Sequence, residues 1–427
     1  MGNKVTRVKL CIPVLLLCVC LLHNEAKAGE MLAWEDCVRE ARKKHPDLVS
    51  SQEGINQATA NRAITRSDML PQVRTELKLE TSDTANRGET DTYAYGITAE
   101  QLLFDGFKTS YDVRSAAENI RSAEYNYKVV SSNVRFRLRV AFVELLKAQE
   151  LLKITEEIVQ RRRQNAELVA LRYEAGIEHR GSLLTAQANL GQAEFDVAQA
   201  RRNISLAQRR LTKELGREKF IPMLAKGDLD THYVRRERVD FKKLAERNPA
   251  LQELITRKEA ARFDLLSAKR DFFPEVFANA GAGKTDSDWP PEDDEWSVGL
   301  TVSFPLFEGG SRIAEVSRAS AALGQTQADE RSGRDSVILA LEETWTDLQD
   351  AIERVRVRQK FFEATSERSK IARAQYANGL ISFNNWTIIE DDLVRDQKAL
   401  LESQSDALNA EASWVQAKGG TLEDDEE

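Results

Sequence analysis

The side chains that most often do chemistry lie scattered along this 427-residue chain. His45, His179 and His232 stand far apart, and none has a cysteine or carboxylate at metal-ligand spacing. No phosphate-cradling glycine loop, nucleophile elbow or GxGxxG run is present. Cys11, Cys18 and Cys20 fall within the first 20 residues, which leaves Cys37 alone. It reads as a small apolar residue on a buried helix face. Carboxylates are plentiful, but they alternate with Lys and Arg on helical stretches, where solvated pairs are the default. These residues support no enzyme, no cofactor and no metal site. Any work must come from shape, from a docking surface, or from charges such as the run Glu390-Asp391-Asp392.

The elements that would position those features repeat. Pro46 and Pro249, Pro71 and Pro274, Gly96 and Gly299, Phe104 and Phe307, Tyr173 and Tyr376, and Gly176 and Gly379 are all 203 residues apart. Pro, Gly and aromatic residues punctuate a chain, so this coincidence marks two copies of one unit. Between 107 and 175 there is no Gly or Pro, and apolar residues recur every seven: Val113, Ile120, Tyr127, Val134, Ala141 and Ala148. That is a heptad seam on a helix of roughly 100 Å. Shorter helices at 46–67 and after Ser182 would lie end to end along it. Gly176 and Gly379 supply left-handed C-caps at the turns after the long helices.

Each unit also carries short alternating segments. Val73, Thr75, Leu77 and Leu79 alternate with polar residues, as do Trp296, Val298, Leu300 and Val302. Segments of about ten residues with one apolar face are the signature of membrane barrel strands. Tyr93, Tyr95 and Trp296 sit near strand ends, where an aromatic belt contacts outer-membrane lipid. Four strands cannot close a barrel, and a bilayer tolerates no open sheet edge. The chain must pool strands with copies of itself: twelve from three chains, or eight from two in a narrower tube.

The start of the chain reads as an export signal. Lys4, Arg7 and Lys9 precede an apolar run, and Ala26-Lys27-Ala28 is a small-x-small cleavage site. Cleavage would take the net charge from −8 to −11, since four basic groups and one acid are lost. An acidic chain without basic patches interleaved with aromatics is no nucleic-acid binder.

The resulting division is a leader at 1–28, a first repeat at 29–216, a connector at 217–240, a second repeat at 241–419 and an acidic tail at 420–427. Strands are expected near 72–80, 92–103, 275–283 and 295–306. Long helices are expected at 107–175 and 311–377, with returning helices at 182–215 and 384–418. The tail reads as disordered, because its acids can bury nothing. The fold class is mainly α with a small transmembrane β part.

The order of these features resembles the TolC family of outer-membrane channels. The junctions Gln101 to Gly106 (QLLFDG) and Phe304 to Gly310 (FPLFEGG) are similar to that family's signature, as are the two glycine turns. The resemblance covers nearly all of 34–420. It implies a homotrimer with a 12-stranded barrel in the outer membrane and a long periplasmic coiled-coil α-barrel. It further implies docking to a periplasmic adaptor (a membrane fusion protein) and an inner-membrane transporter of RND or ABC type. Adaptor contacts would fall on Ala175, Gly176, Ile177, Asn378, Gly379 and Leu380. Family members often narrow the periplasmic mouth with acids six and nine residues past the second turn glycine; here those positions are Asn385 and Ile388, neither acidic. Asp392 shares their helix face at i+7 from Asn385. Asp391 has Arg395 four residues on, whereas Asp392 has the like charge Asp396. The expectation is a three-fold Asp392 ring one turn above an Asn385/Ile388 constriction, with Tyr376 beside it. The implied function is a passive export duct for efflux or one-step secretion. The alternative is a periplasmic coiled-coil scaffold or adaptor without a pore.

Overall fold

The computed structural model describes residues 30–85, 88–230 and 239–424; the expected leader and residues 231–238 of the connector lie outside them. The chain opens with β1 (Glu30–Leu32), α1 (Trp34–Lys44) and α2 (Pro46–Ser67). The hairpin β2 (Gln72–Thr84) and β3 (Gly88–Phe104) leads into α3 (Lys108–Glu174), which returns as α4 (Arg180–Glu214). After β4 (Met223–Ala225) the plan recurs as α5 (Phe241–Arg247), α6 (Pro249–Ala268), β5 (Glu275–Asp286), β6 (Asp293–Ser303), α7 (Ser311–Ala377) and α8 (Phe383–Ala417).

Local chemistry sets these boundaries. Pro46 and Pro249 open α2 and α6, where a missing N–H costs nothing. Asp105 caps α3 by accepting from the Thr109 N–H at 2.7 Å and from the Thr109 hydroxyl at 2.5 Å. α3 and α7 have 67 residues each, or about 100 Å. Ala186, Ala193, Ala200 and Ala207 recur every seven residues on α4, and all are buried. So small a seam lets two helix axes approach closely, at the 3.5-residue period of a supercoil.

The main core lies at mid-height, where Leu138, Phe142 and Leu145 of α3 meet Leu211 of α4, Leu48 of α2, and Cys37 and Val38 of α1. Burial pushes the Cys37 thiol up to about 12, so it stays neutral and inert. The parallel pair β1–β4 closes this region, with Glu30 opposite Met223 and Leu32 opposite Ala225. Arg217 fastens it by donating to Glu40 and Glu30. The tail differs from expectation. Leu422 is fully buried in the main core, and the Glu423 carboxylate accepts from Ser131 at 2.8 Å and from Tyr127 at 3.3 Å. One apolar anchor and two hydroxyl donors order a segment whose composition alone suggested disorder; residues 425–427 lie outside the described part.

The four long strands form one antiparallel sheet in the order β2-β3-β5-β6. They run further than the expected 72–80, 92–103 and 275–283, because Thr, Asp and Glu beyond the apolar stripe continue the ladder. β6 instead stops at Ser303, short of 306, before Pro305, which has no N–H to give. Val73, Leu77, Trp296, Val298 and Leu300 are all exposed on one face. No described helix is long and apolar enough to cross a membrane.

Candidate functional site

At the far end from the sheet, the two helical hairpins turn side by side. Gly176 and Gly379 hold φ of 72° and 75°, the left-handed region that favours glycine. The Gly176 and Gly379 N–H groups each donate at 3.0 Å to the carbonyls of Tyr173 and Tyr376. The Ile177 and Leu380 N–H groups close the same motif on Arg172 and Gln375. This leaves Ile177 64% and Leu380 73% exposed at the tips. His179 and Ser182 tie the start of α4, and Ser382 caps α8 by accepting from the Asn385 N–H.

Side chains from both repeats converge above these turns. Tyr376 is buried, stacked on Trp386 at 4.3 Å between centroids, with Phe383 edge-on to both. Its hydroxyl donates to Glu178 Oε2 at 2.9 Å. The Arg172 guanidinium lies 4.8 Å from the Tyr376 ring centroid and donates to the Ala377 carbonyl. Burial, then the Glu178 carboxylate, push the Tyr376 phenol well above its ordinary range, so it stays a donor. Burial raises Glu178, but hydrogen bonds from Ser182, Tyr376 and the His179 backbone outweigh it and hold this carboxyl below the usual value. Arg172 and Glu178 belong to repeat one and Tyr376 to repeat two, so the contacts clasp one hairpin to the other.

A second tier lies one to three turns further in. Glu390 is buried, and its oxygens accept from Asn165 of α3 at 3.2 Å and from Ser369 of α7. Arg162 of α3 pairs with Asp391 of α8, and Arg373 donates to Gln164. Lys398 reaches Asp196 of α4 at 2.7 Å.

Among the sequence-derived positions, Asn385 and Ile388 are exposed on α8. Asp392 is not the unrelieved acid expected. It pairs with Arg395 three residues on and with Arg368 of α7 at 3.6 Å, two cations that outweigh its Asp396 neighbour. Asp391 is held by Arg162 rather than by Arg395. Near the hairpin ends, Tyr93 stands opposite Leu79 and packs edge-on against Trp289. The row through Trp296 runs through Ala282 and Ile97, four residues along β3 from Tyr93, with Tyr95 between them. Sequence reasoning passed over Arg172, Glu178, Phe383, Trp386 and Trp289. The signal for part of that set was present: Phe383 and Trp386 lie three residues apart, just past the turn that follows Tyr376.

This architecture defines a membrane-strand and long-helix channel class, and comparison with known proteins agrees. A model of the outer membrane efflux protein family matches residues 37–217 and 241–420, one match for each repeat. The chain belongs to that family, the TolC-type outer-membrane channels, which are transport proteins rather than enzymes and carry their helical part in the periplasm. The outer membrane efflux protein BepC of Brucella suis is 22% identical over 93% of this chain and 87% of its own. The alkaline protease secretion protein AprF of Pseudomonas aeruginosa is 25% identical over 63% of this chain and 60% of its own. Among solved structures, the outer membrane protein VceC of Vibrio cholerae superposes with a TM-score of 0.79 at 19% identity, covering 91% of this chain and 96% of that one. Family membership removes the reading as a scaffold without a pore.

Proposed function

We propose that the chain is a passive homotrimeric duct, closed at rest by the tip clasp, that takes cargo from an inner-membrane transporter of RND or ABC type through a periplasmic adaptor. The observation that carries the gate is the pairing of Tyr376 with Glu178 and Arg172, which ties the hairpin of repeat two to that of repeat one. Opening must swing one hairpin away from the other, and each of these bonds resists it. A hydrogen bond to a charged group contributes about 1.5–3 kcal/mol, so the clasp holds without being permanent. Asn385 and Ile388, exposed beside it, form the constriction. Asp392 lies one turn above with its charge balanced by arginine, so its ring acts on ions only once Arg368 and Arg395 move away. The three sheets complete a 12-stranded barrel, because β2 and β6 are left as open edges. Exposed Ile177 and Leu380, with Ala175, Gly176, Asn378 and Gly379, offer the adaptor an apolar tip. The relatives named for efflux and for protease secretion leave both cargo classes within this scheme.

The test is single-channel recording of the trimer in planar bilayers. Tyr376→Phe combined with Glu178→Gln is expected to raise resting conductance several-fold. An unchanged, nearly closed channel would overturn the gate. Cysteine cross-linking at Gly379 in cells is expected to trap a periplasmic adaptor.

A further inference from the structure

The two repeats part company where each pair of short helices meets end to end. In repeat one, α4 ends at Glu214 and α2 starts at Pro46. Arg137 of α3 crosses that joint and pairs with both Asp47 and Glu214, and Lys213 adds a second cation. The residues 203 positions further on are Ala250 for Asp47, Ala340 for Arg137 and Ala417 for Glu214. The backbone punctuation is kept: Pro249 stands for Pro46, and Gly419 for Gly216, both glycines with left-handed φ. With the backbone plan held and three long side chains cut back to methyl groups, space is left. A pocket of about 240 Å³ lies there, walled by Val129 of α3, Pro249 and Ala250 of α6, Val337 and Ala340 of α7, and Ala417 of α8. The trough beside the repeat-one ion pairs is polar instead, bounded by Asp47, Ser50, Ser51, Asn126 and Arg137.

The lining decides what can enter. No ionisable side chain borders the repeat-two pocket, and each polar side chain at its edge already has a partner within the chain. Asn248 donates to the Ala417 carbonyl at 2.8 Å and accepts from the Ala250 N–H at 2.9 Å. Gln416 donates to Asn133 at 2.8 Å, and the Ser132 hydroxyl to the Gln416 carbonyl at 3.4 Å. The Ser336 hydroxyl donates to the Ser332 carbonyl at 2.9 Å. A buried water needs two to four polar partners, whereas a dry apolar cavity of roughly 150 Å³ is enough for benzene. We propose that this pocket binds a small apolar molecule, the size of one aromatic ring with a short alkyl chain, wedged between α3 of repeat one and α7 of repeat two. The occupant supplies by apolar packing the cross-link that Arg137 supplies by charge in repeat one. All four walls come from one chain, so the site is complete without a neighbouring copy. It lies roughly 60 Å along α3 from Arg172 and the tip clasp, and it stands whether or not that clasp is the gate.

Thiol exchange on the assembled protein in lipid nanodiscs tests this directly. Ser336 is exposed at the mouth of the pocket, so Ser336→Cys places a thiol there. Cys37, the one cysteine beyond the expected leader, is fully buried and does not compete. A benzyl disulfide and a hydroxyethyl disulfide in equal amounts compete for the thiol, and intact mass reads the adducts. The ratio of benzyl to hydroxyethyl adduct is expected to exceed by about ten-fold or more the ratio at Ser332→Cys, an exposed control one turn back on α7, since only the first lets the ring bury itself. In the Ser336→Cys background, Ala340→Leu fills the pocket, and Ala250→Asp with Ala340→Arg and Ala417→Glu restores the charges of repeat one. Both are expected to return the ratio to that of the control, and Ala340→Leu alone decides the matter if the triple variant does not assemble. A ratio equal to the control in the unfilled protein overturns the proposal. So does a preference that survives Ala340→Leu, or a Ser336→Cys thiol left unmodified because a neighbouring copy covers it.

Discussion

The turns at Gly176 and Gly379 follow the same path and make the same capping hydrogen bonds, yet Tyr173 is 39% exposed while Tyr376, its counterpart 203 residues on, is 1% exposed under Trp386. A second pair of matched positions says the same. His45 and Asn248 both cap a Pro-started helix, accepting from the N–H groups of Asp47 and Ala250. His45 then faces the Glu214 carboxylate at 3.6 Å, whereas Asn248 donates to the Ala417 carbonyl at 2.8 Å. Positions 214 and 417 are again 203 apart. The backbone plan is duplicated; the polar chemistry hung on it has diverged. Repeat one has a charged fastening at mid-height and an exposed tip tyrosine; repeat two has an aromatic latch at the tip and a neutral fastening at mid-height.

That asymmetry can be tested at matched positions. The largest effect belongs to Trp386→Ala, which empties a buried aromatic site and costs about 3–5 kcal/mol in the tip of repeat two. Limited proteolysis should then cut near Asn378 to Leu380 much faster, while the matched Leu183→Ala, at a half-buried site, should change cleavage far less. Similar rates would show that the two tips are equally held.

Next is the acid response of the His45–Glu214 fastening. The His45 imidazole 3.6 Å away, then hydrogen bonds from Lys213 and Arg137, outweigh burial and hold the Glu214 carboxyl at about 2, against an ordinary 4.5. A folded-state pKa below the unfolded one gives stability that is present in full above about 4.5 and lost as pH falls toward 2. The difference corresponds to roughly 3 kcal/mol. Denaturant unfolding at pH 6 and pH 3 should show a loss on the acid side that is smaller by about 2 kcal/mol in Glu214→Gln than in wild type. The neutral Asn248–Ala417 contact should add no slope of its own.

Tyr376→Phe removes one hydrogen bond to a charged acceptor and keeps the stack on Trp386, so about 1.5–3 kcal/mol is expected. Hydrogen exchange at the end of α7 should accelerate, whereas Tyr173→Phe in repeat one should leave exchange at the end of α3 unchanged. The smallest effect is expected at Asp392. Its partners Arg368 and Arg395 are themselves largely exposed, and such pairs contribute about 0–1 kcal/mol. Asp392→Asn should shift cation selectivity of the resting channel only slightly. A large shift would mean that the arginines do not neutralise it.

The sheet and the tips differ in how far the amino-acid order foretold them. Strand alternation, the heptad seam, the Pro starts and the Gly stops are local, within a few residues of one another, so they mark element type and approximate place in the chain. The strand ends were less legible, because the ladder outruns the apolar stripe. Duplication was readable because Pro and Gly resist substitution wherever a turn depends on them. The clasp was not. Tyr376 and Glu178 are 198 residues apart, and Arg162 and Asp391 are 229 apart. Which face of a 100 Å helix meets which neighbour depends on supercoil phase, and a phase error of one residue turns a side chain by about 100°. The same reason hid the partners of Asp392. Its i+3 neighbour Arg395 was in plain view, but Arg368 arrives only when α7 and α8 pack. Chain order alone thus settles the repeats, the element types and the membrane-strand pattern, since each rests on short-range sterics and periodic burial. Helix packing alone settles which charges are neutralised, which aromatic residues stack and which tail residues are anchored, since those depend on the relative rotation of elements far apart in the chain.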